Sequence, residues 1–313
     1  LGQGEDLAAI EQKALNTGAV KAVVEDLTEP FVEDYIFPAL QASAIYEGLY
    51  PLHTALGRPL IVKRMADLAL AEGADAVAHG CSGKGNDQIR FEVGFRSLAP
   101  QLEILAPLRD WELTTREAEF HYAQERGIPL PITLEKPFSI DENIWGCAIE
   151  CGEMEDLWTE PPPDAWRMTK DPSNAPRGSV GLVIAFEQGI PVAIDGREMG
   201  GVELLEYLND LAGSFGVGRI DMVENRVVGL KSREVYEAPG AGLIHMAHTE
   251  LERICLDRPP STTSASCPRT TRTSSTTAPG SVPCGTACRP SWTRARKSSP
   301  VKCASASAPG WPA

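Results

Sequence analysis

The sequence predicts a parallel α/β layer up to about residue 130, an α+β unit over 131–258, and a tail without a core over 259–313. Three observations carry this reading. Strand-like and helical runs alternate as far as Arg126, the pattern of a parallel sheet wrapped by helices. Beyond Pro129 the apolar runs shorten into hairpin signals set among loops. At Arg258 the composition breaks: residues 259–313 hold 11 Ser, 9 Thr, 9 Pro and 8 Ala among 55 residues, with no Asp, Glu, Leu, Ile, Phe, Tyr or Met. Such a segment cannot bury enough apolar area to offset its ordering entropy, so disorder is the expectation there.

The elements follow in order. After a polar opening turn, Leu7, Ile10, Ala14 and Leu15 recur near helical spacing. Residues 18–25 read as a turn and a strand. Residues 30–74 read as mostly helical, punctuated by Pro30, Pro38 and Pro51, and the stretch 57–73 offers Leu60, Ile61, Met65, Leu68 and Leu70 to a core. A short buried strand is expected at 75–79. A helix over 88–98 has Ile89, Phe91, Val93 and Phe95 to bury. Another short strand is expected at 102–107, then a helix over 117–126 closed by Gly127. The Pro- and Trp-rich segment 131–178 reads as a loop system. Residues 180–194 form two apolar runs about a Glu-Gln-Gly turn, a hairpin signal. Residues 203–215 are an amphipathic helix, and 220–231 contain two further short strands.

The whole chain narrows the function classes. Its 313 residues and 33.7 kDa suffice for two domains, with 42% hydrophobic residues to supply cores. A net charge of −14 argues against a nucleic-acid footprint, which needs a basic face. No charge-free apolar run approaches the ~18 residues of a membrane span, and no signal-peptide pattern opens the sequence, so a cytoplasmic protein is expected. Cys147 and Cys151 are four apart without matching His or Cys partners, which favours buried reduced thiols over a metal site.

Chemistry concentrates at residues 79–92, His-Gly-Cys-Ser-Gly-Lys-Gly-Asn-Asp-Gln-Ile-Arg-Phe-Glu. The loop joins the carboxyl end of a strand to a helix N-terminus, the crevice where α/β sheets bind ligands. Glycines also simply make turns, and Asp87 can serve as a helix N-cap. The spacing is not that of a Walker A loop, because Lys84 is followed by Gly. The mixed charge is more telling. An amino-acid ligand needs an acceptor for its ammonium and donors for its carboxylate, which Asn86, Asp87 and Arg90 supply together.

This loop, with Tyr-Pro-Leu-His-Thr-Ala-Leu-Gly-Arg-Pro at 50–59 and the stretch from Gly216 to Gly240, closely resembles argininosuccinate synthase. The three motifs stand in the family's order. The resemblance covers nearly all of residues 1–258. It implies an adenine nucleotide alpha-hydrolase-like, Rossmann-like nucleotide-binding domain over 1–130 and a synthetase domain over 131–258. It implies ATP, with Mg2+, activating citrulline as an adenylate that aspartate then attacks. The product is argininosuccinate in arginine biosynthesis, and the assembly a homotetramer. Carried over by position, Gly80 contacts ATP; Ser82, Asn86 and Asp87 hold aspartate; and Tyr50, Asn86, Arg90, Glu224 and Tyr236 hold citrulline. Without the resemblance, Tyr50 and Tyr236 read as packing and Glu224 as strand-surface charge.

This sequence departs from the family's pattern at four points. His53 stands where glycine is usual, which puts the local backbone in question. Ala55 and Ala148 stand where some members place a citrulline-contacting serine, and Cys147 replaces a frequent arginine. The family's first strand and Ser-Gly-Gly-x-Asp pyrophosphate loop have no counterpart in the 313 residues, so an N-terminal truncation is expected, with little activity for this chain.

The tail prompts a further expectation. Read one base out of register, Pro-Gly-Ser-Val-Pro-Cys-Gly-Thr is compatible with Pro-Trp-Phe-Gly-Pro-Leu-Arg-Asp, and Pro-Val-Lys-Cys-Ala with Thr-Gly-Glu-Val-Arg. Both strings resemble the family's C-terminal region, which points to a frameshift at or just after Arg258. The alternatives are another ATP pyrophosphatase-type adenylating enzyme, or an inactive fragment of the synthase.

Overall fold

A computed structural model describes residues 1–4, 6–83, 85–112, 116–128, 139–150, 154 and 156–256. The tail over 259–313, with the expectations that fall on it, lies outside the described residues, as does Lys84. Helix α1 (Leu7–Asn16) is capped by Asp6, whose carboxylate accepts from the N–H groups of Ala8 and Ala9. Its apolar spacing finds no partner among the described residues: Leu7, Ile10 and Leu15 are 46%, 42% and 41% exposed. The strand expected over 18–25 does not form, and that stretch runs without strand pairing.

Helix α2 (Thr28–Phe31), a π-helical turn (Val32–Ile36) and α3 (Phe37–Gln41) follow as one winding stretch. Next come α4 (His53–Ala71), β1 (Ala76–Ala78), α5 (Asp87–Leu98), β2 (Glu103–Leu105) and α6 (Arg116–Glu125). Strands β1 and β2 pair in parallel, Val77 opposite Ile104, as the alternating pattern predicts. Val62 and Ala66 of α4 and Phe95 of α5 close over Val77. The two helices approach so closely at Gly94 that a Cβ there would lie 2.7 Å from Val62 Cγ1. Of the four apolar residues expected to be buried on α5, only Phe95 is fully so, and Val93 is exposed.

The second unit corrects the expectation of a loop system over 131–178. Strands β3 (Ser139–Asn143) and β4 (Gly146–Glu150) lie inside that segment. A three-stranded sheet of β5 (Ile184–Glu187), β6 (Ile190–Ile194) and β7 (Arg197–Glu198) contains the predicted hairpin. Helix α7 (Gly201–Ser214) is followed by β8 (Arg219–Asn225), β9 (Lys231–Glu237) and α8 (Pro239–Cys255). Strands β8 and β9 flank the 226–230 turn rather than both lying within 220–231. Helix α8 was not foreseen. The larger sheet is antiparallel, in the order β3-β4-β9-β8.

The principal core joins the two units. Phe31, Val32, Ile36, Phe37 and Leu40 pack with Leu204, Leu205 and Leu208 of α7 and Ala241 and Ile244 of α8. Each large apolar side chain buried this way contributes about 1.5–3 kcal/mol. Side-chain bonds fix the elbow before α4 against the sheet. The Trp145 indole donates to Pro51 O at 2.9 Å, and Asn143 Nδ2 donates to His53 O at 3.1 Å. No helix among the described residues is long and apolar enough to cross a membrane.

Candidate functional site

Facing strands of the antiparallel sheet alternate their side chains, so residues two apart share a face. Ala148 of β4 lies opposite Tyr236 of β9, which lies opposite Ile220 of β8. On this face the sheet presents Asp141, Ala148, Glu150, Glu224, Glu234 and Tyr236 to a cleft. The other wall is the loop after β1 and the first turn of α5, which contribute Gly80, Ser82, Asn86, Asp87 and Arg90. The elbow before α4 contributes Tyr50. All eight residues singled out in the sequence therefore line one cleft, of about 1480 Å³. That exceeds the ~300–1,000 Å³ usual for one small ligand and leaves room for several.

Tyr50 is placed by a tight turn in which Tyr46 N donates to Tyr50 O at 2.8 Å. Its ring stacks on Tyr236, with centroids 4.0 Å apart and planes 5° from parallel. The Tyr236 hydroxyl donates to Glu224 Oε2 at 2.8 Å. Burial raises the pKa of both tyrosines, and it raises that of Glu224 against the opposing Tyr236 hydrogen bond. Asn86 spans the walls: its Oδ1 accepts from Val227 N at 2.8 Å, and its Nδ2 lies 3.5 Å from Glu224 Oε1.

Asp87 opens α5 but caps nothing. Its Oδ2 accepts from Arg58 Nε at 2.8 Å and its Oδ1 from Arg90 Nη1 at 2.6 Å. Burial opposes its charge, yet the two guanidinium groups outweigh burial and hold the carboxyl below its ordinary range. Arg58 also pairs with Asp141 of β3. Arg58 and Asp141 escaped the sequence reading although Arg58 lies inside the quoted motif at 50–59. No signal marks which charges in a motif will meet. Ser139, Glu150, Arg226, Ser232 and Glu234 also line the cleft and were missed. Two of them lie on strands inside the segment read as loops.

The unusual positions resolve as follows. The positive φ lies at Leu52 (+63°), not at His53, so the histidine does not suffer the strain foreseen for it. His53 is fully buried, edge-on to both Tyr50 and Tyr236, and among the described residues neither ring nitrogen has a hydrogen-bond partner. Burial, then Arg58 and Arg90, depress its pKa to about 3. Gly146 makes room for it: a Cβ there would lie 2.6 Å from Glu237 O and 3.0 Å from His53 Nδ1. Ala55 and Ala148 are buried beside the tyrosine pair. Cys147 points away from the cleft into a cluster with Ile149, Met154, Ala165 and Val235, where burial pushes its thiol pKa up.

A glycine-bearing loop at the carboxyl end of parallel strands, sharing its cleft with a second α+β unit, defines a two-domain protein built on a nucleotide-binding α/β layer. Residues 1–129 match the family model described as the arginosuccinate synthase N-terminal HUP domain, and residues 138–266 match the arginosuccinate synthase C-terminal domain. The chain is 56% identical over 258 residues to an argininosuccinate synthase of Chlorobium phaeobacteroides (strain BS1), 55% to one of Chlorobium luteolum and 54% to one of Chlorobaculum tepidum. Each alignment covers 82% of this chain and 64% of the relative, so the chain spans less than two thirds of the length of these curated relatives. The chain belongs to the argininosuccinate synthase family.

Proposed function

We propose that this chain carries the amino-acid-binding part of an argininosuccinate synthase, an ATP-dependent carbon–nitrogen ligase of arginine biosynthesis. The observation that carries the reading is the cleft: residues from both domains, matched to the family's motifs, converge on one space. In the proposed reaction the ureido oxygen of citrulline attacks the α-phosphorus of ATP and pyrophosphate leaves. The amine of aspartate then attacks the activated ureido carbon, and the carbon–oxygen bond breaks with its electron pair going to AMP. A urea carbon is a poor electrophile, so adenylation supplies the leaving group. The residues act by holding reactants in line and balancing charge rather than as nucleophiles.

In this assignment Gly80 lets ATP approach the loop backbone. Ser82, Asn86 and Asp87 take aspartate on the α5 wall, while Tyr50, Arg90, Glu224 and Tyr236 take citrulline towards the sheet. Asn86 touches both. Because Arg58 bridges Asp87 and Asp141, it can keep Asp141 while Asp87 turns one oxygen to an incoming ammonium. Mg2+ is assigned to the phosphate oxygens and enters as part of the ATP substrate. A cytoplasmic location and a homotetramer are proposed from the family alone.

The test is selective binding. Asp87→Ala should weaken aspartate by about 1.5–3 kcal/mol, the worth of a charge-assisted hydrogen bond, and citrulline by less. Equal losses would count against the assignment. A second reading, that these 313 residues bind amino acids without turning them over, is favoured by one observation: they contain no Ser-Gly-Gly-x-Asp motif. Loss of one set of phosphate-directed donors costs about 10²–10³ in rate. Little argininosuccinate should therefore form from the purified chain, and robust ATP-dependent turnover would overturn that expectation.

A further inference from the structure

Tyr50 and Tyr236 stand closer together than stacked rings settle unaided. Their centroids are 4.0 Å apart with planes 5° from parallel, whereas aromatic pairs favour offset or edge-to-face arrangements about 4.5–7 Å apart, because their π faces repel. The pair is therefore held from outside. The Tyr236 hydroxyl donates to Glu224 Oε2 at 2.8 Å, and the Tyr50 hydroxyl oxygen accepts from Thr54 N at 3.2 Å in the first turn of α4. Both bonds act at the tips of the rings and leave the ring bodies free to splay. The third contact is His53, whose ring centroid lies 5.1 Å from that of Tyr50 and 5.5 Å from that of Tyr236, with planes 86° and 81° away from theirs. A ring stacked above the pair would be near one tyrosine and far from the other. Near-equal distances place the imidazole beside both, bridging their edges.

The space for this imidazole is built by the sheet. Gly146 of β4 leaves it open, since a Cβ there would lie 3.0 Å from His53 Nδ1, and Asn143 Nδ2 of β3 fixes the His53 carbonyl at 3.1 Å. The side chain is fully buried and is not among the residues that line the cleft. Among the described residues its two nitrogens have no hydrogen-bond partner, a cost that a hydrocarbon filling the same space would avoid and that calls for a role beyond filling it. Burial, Arg58 and Arg90 all oppose protonation, so the ring is neutral. A neutral ring can take the positive edges of both tyrosines on its π face, which an imidazolium could not. We propose that His53 is a positioning residue of the cleft: its imidazole clamps Tyr50 against Tyr236 and thereby sets where the Tyr236 hydroxyl and Glu224 stand, without itself touching a ligand. This rests on the reading of Tyr50, Tyr236 and Glu224 as citrulline-binding residues.

The experiment joins citrulline binding, measured by calorimetry on the full 313-residue chain, to NMR of ring-labelled histidine and tyrosine. His53→Ala should weaken citrulline about tenfold, the worth of one hydrogen bond put out of register, and should move the ring signals of Tyr50 and Tyr236. His53→Phe, which returns a flat ring, should recover most of the affinity and the tyrosine signals with it. In the unaltered chain the His53 signals, identified by their proximity to the two tyrosine rings, should not titrate between about pH 5 and pH 8 and should shift when citrulline is added. Citrulline affinity unchanged in a folded His53→Ala, or affinity lost with the tyrosine signals unmoved, overturns the inference while leaving the citrulline site standing. If His53→Ala does not fold, the unaltered chain decides: His53 signals that stay fixed at saturating citrulline overturn the inference, and signals that shift uphold it. Failure of citrulline to bind the unaltered chain overturns the site assignment and this inference with it.

Discussion

At the scale of single residues, the site depends on side chains whose partners lie far away in sequence. Arg58 is nearly buried between Asp87 and Asp141, and removing it leaves two carboxylates facing each other, with Asp87 still paired to Arg90. Breaking a buried pair from one side costs about 3–5 kcal/mol, so Arg58→Ala should lower stability by that order, as read by denaturant unfolding. His53 adds a pH dependence. Its folded pKa of about 3 lies below the ordinary 6.5, so the stability it supports is present above pH 6.5 and lost as pH falls towards 3. His53→Leu removes the titration. Its stability relative to the unaltered chain should be more favourable at pH 5 than at pH 8 by about 2 kcal/mol, measured by urea unfolding at both pH values.

Elements set which charges meet. Strand β9 places Glu237 on the face away from the cleft, fully buried. Its carboxylate accepts from the N–H groups of Arg167, Met168 and Thr169 and from the Thr169 hydroxyl. Glu237→Ala should release the 165–169 loop, with a loss of stability of about 3 kcal/mol or more and faster amide exchange at 167–169. Glu150 has the opposite sign. Its folded pKa lies above that of an unfolded glutamate, so it favours the fold at low pH and opposes it as pH rises through about 7. Glu150→Gln should therefore raise the melting temperature at pH 8 and change it little at pH 4.

The same elements show what the sequence could and could not reveal. Strands β1 and β2 and helix α5 were legible because their apolar residues are bounded by turn residues and supply Val77, Ile104 and Phe95 to one cluster. Strand β4 was not, because Gly146, Cys147, Ala148 and Ile149 are all buried and show no alternation, and proline-rich segments flank them. Helix α8 begins Pro-Gly-Ala-Gly, which reads as a loop. In the fold Pro239 sits in the first turn, where its missing N–H costs nothing, and Gly240 N donates to Asn209 Oδ1. The eight motif residues come from resemblance, whereas Arg58, Glu150 and Arg226 emerge only when helix α4, the 226–230 turn and the sheet come together in the fold.

At the scale of the whole molecule, the cleft exists because two units that differ in architecture are locked together. The shared core of α2, α3, α7 and α8 and the bonds from Trp145 and Asn143 to the elbow before α4 hold the wall of α5 against the sheet. Trp145→Phe removes the indole donor that satisfies Pro51 O. It should loosen the elbow and weaken any ligand that contacts both walls, by about 1–2 kcal/mol, in an equilibrium binding assay with citrulline. In the proposed assignment one citrulline molecule spans the two walls. A crystal structure of the chain soaked with citrulline tests it most directly. The amino acid is expected to lie against the Tyr50–Tyr236 pair with polar contacts to both Arg90 and Glu224; citrulline bound elsewhere, or touching only one wall, would contradict that assignment.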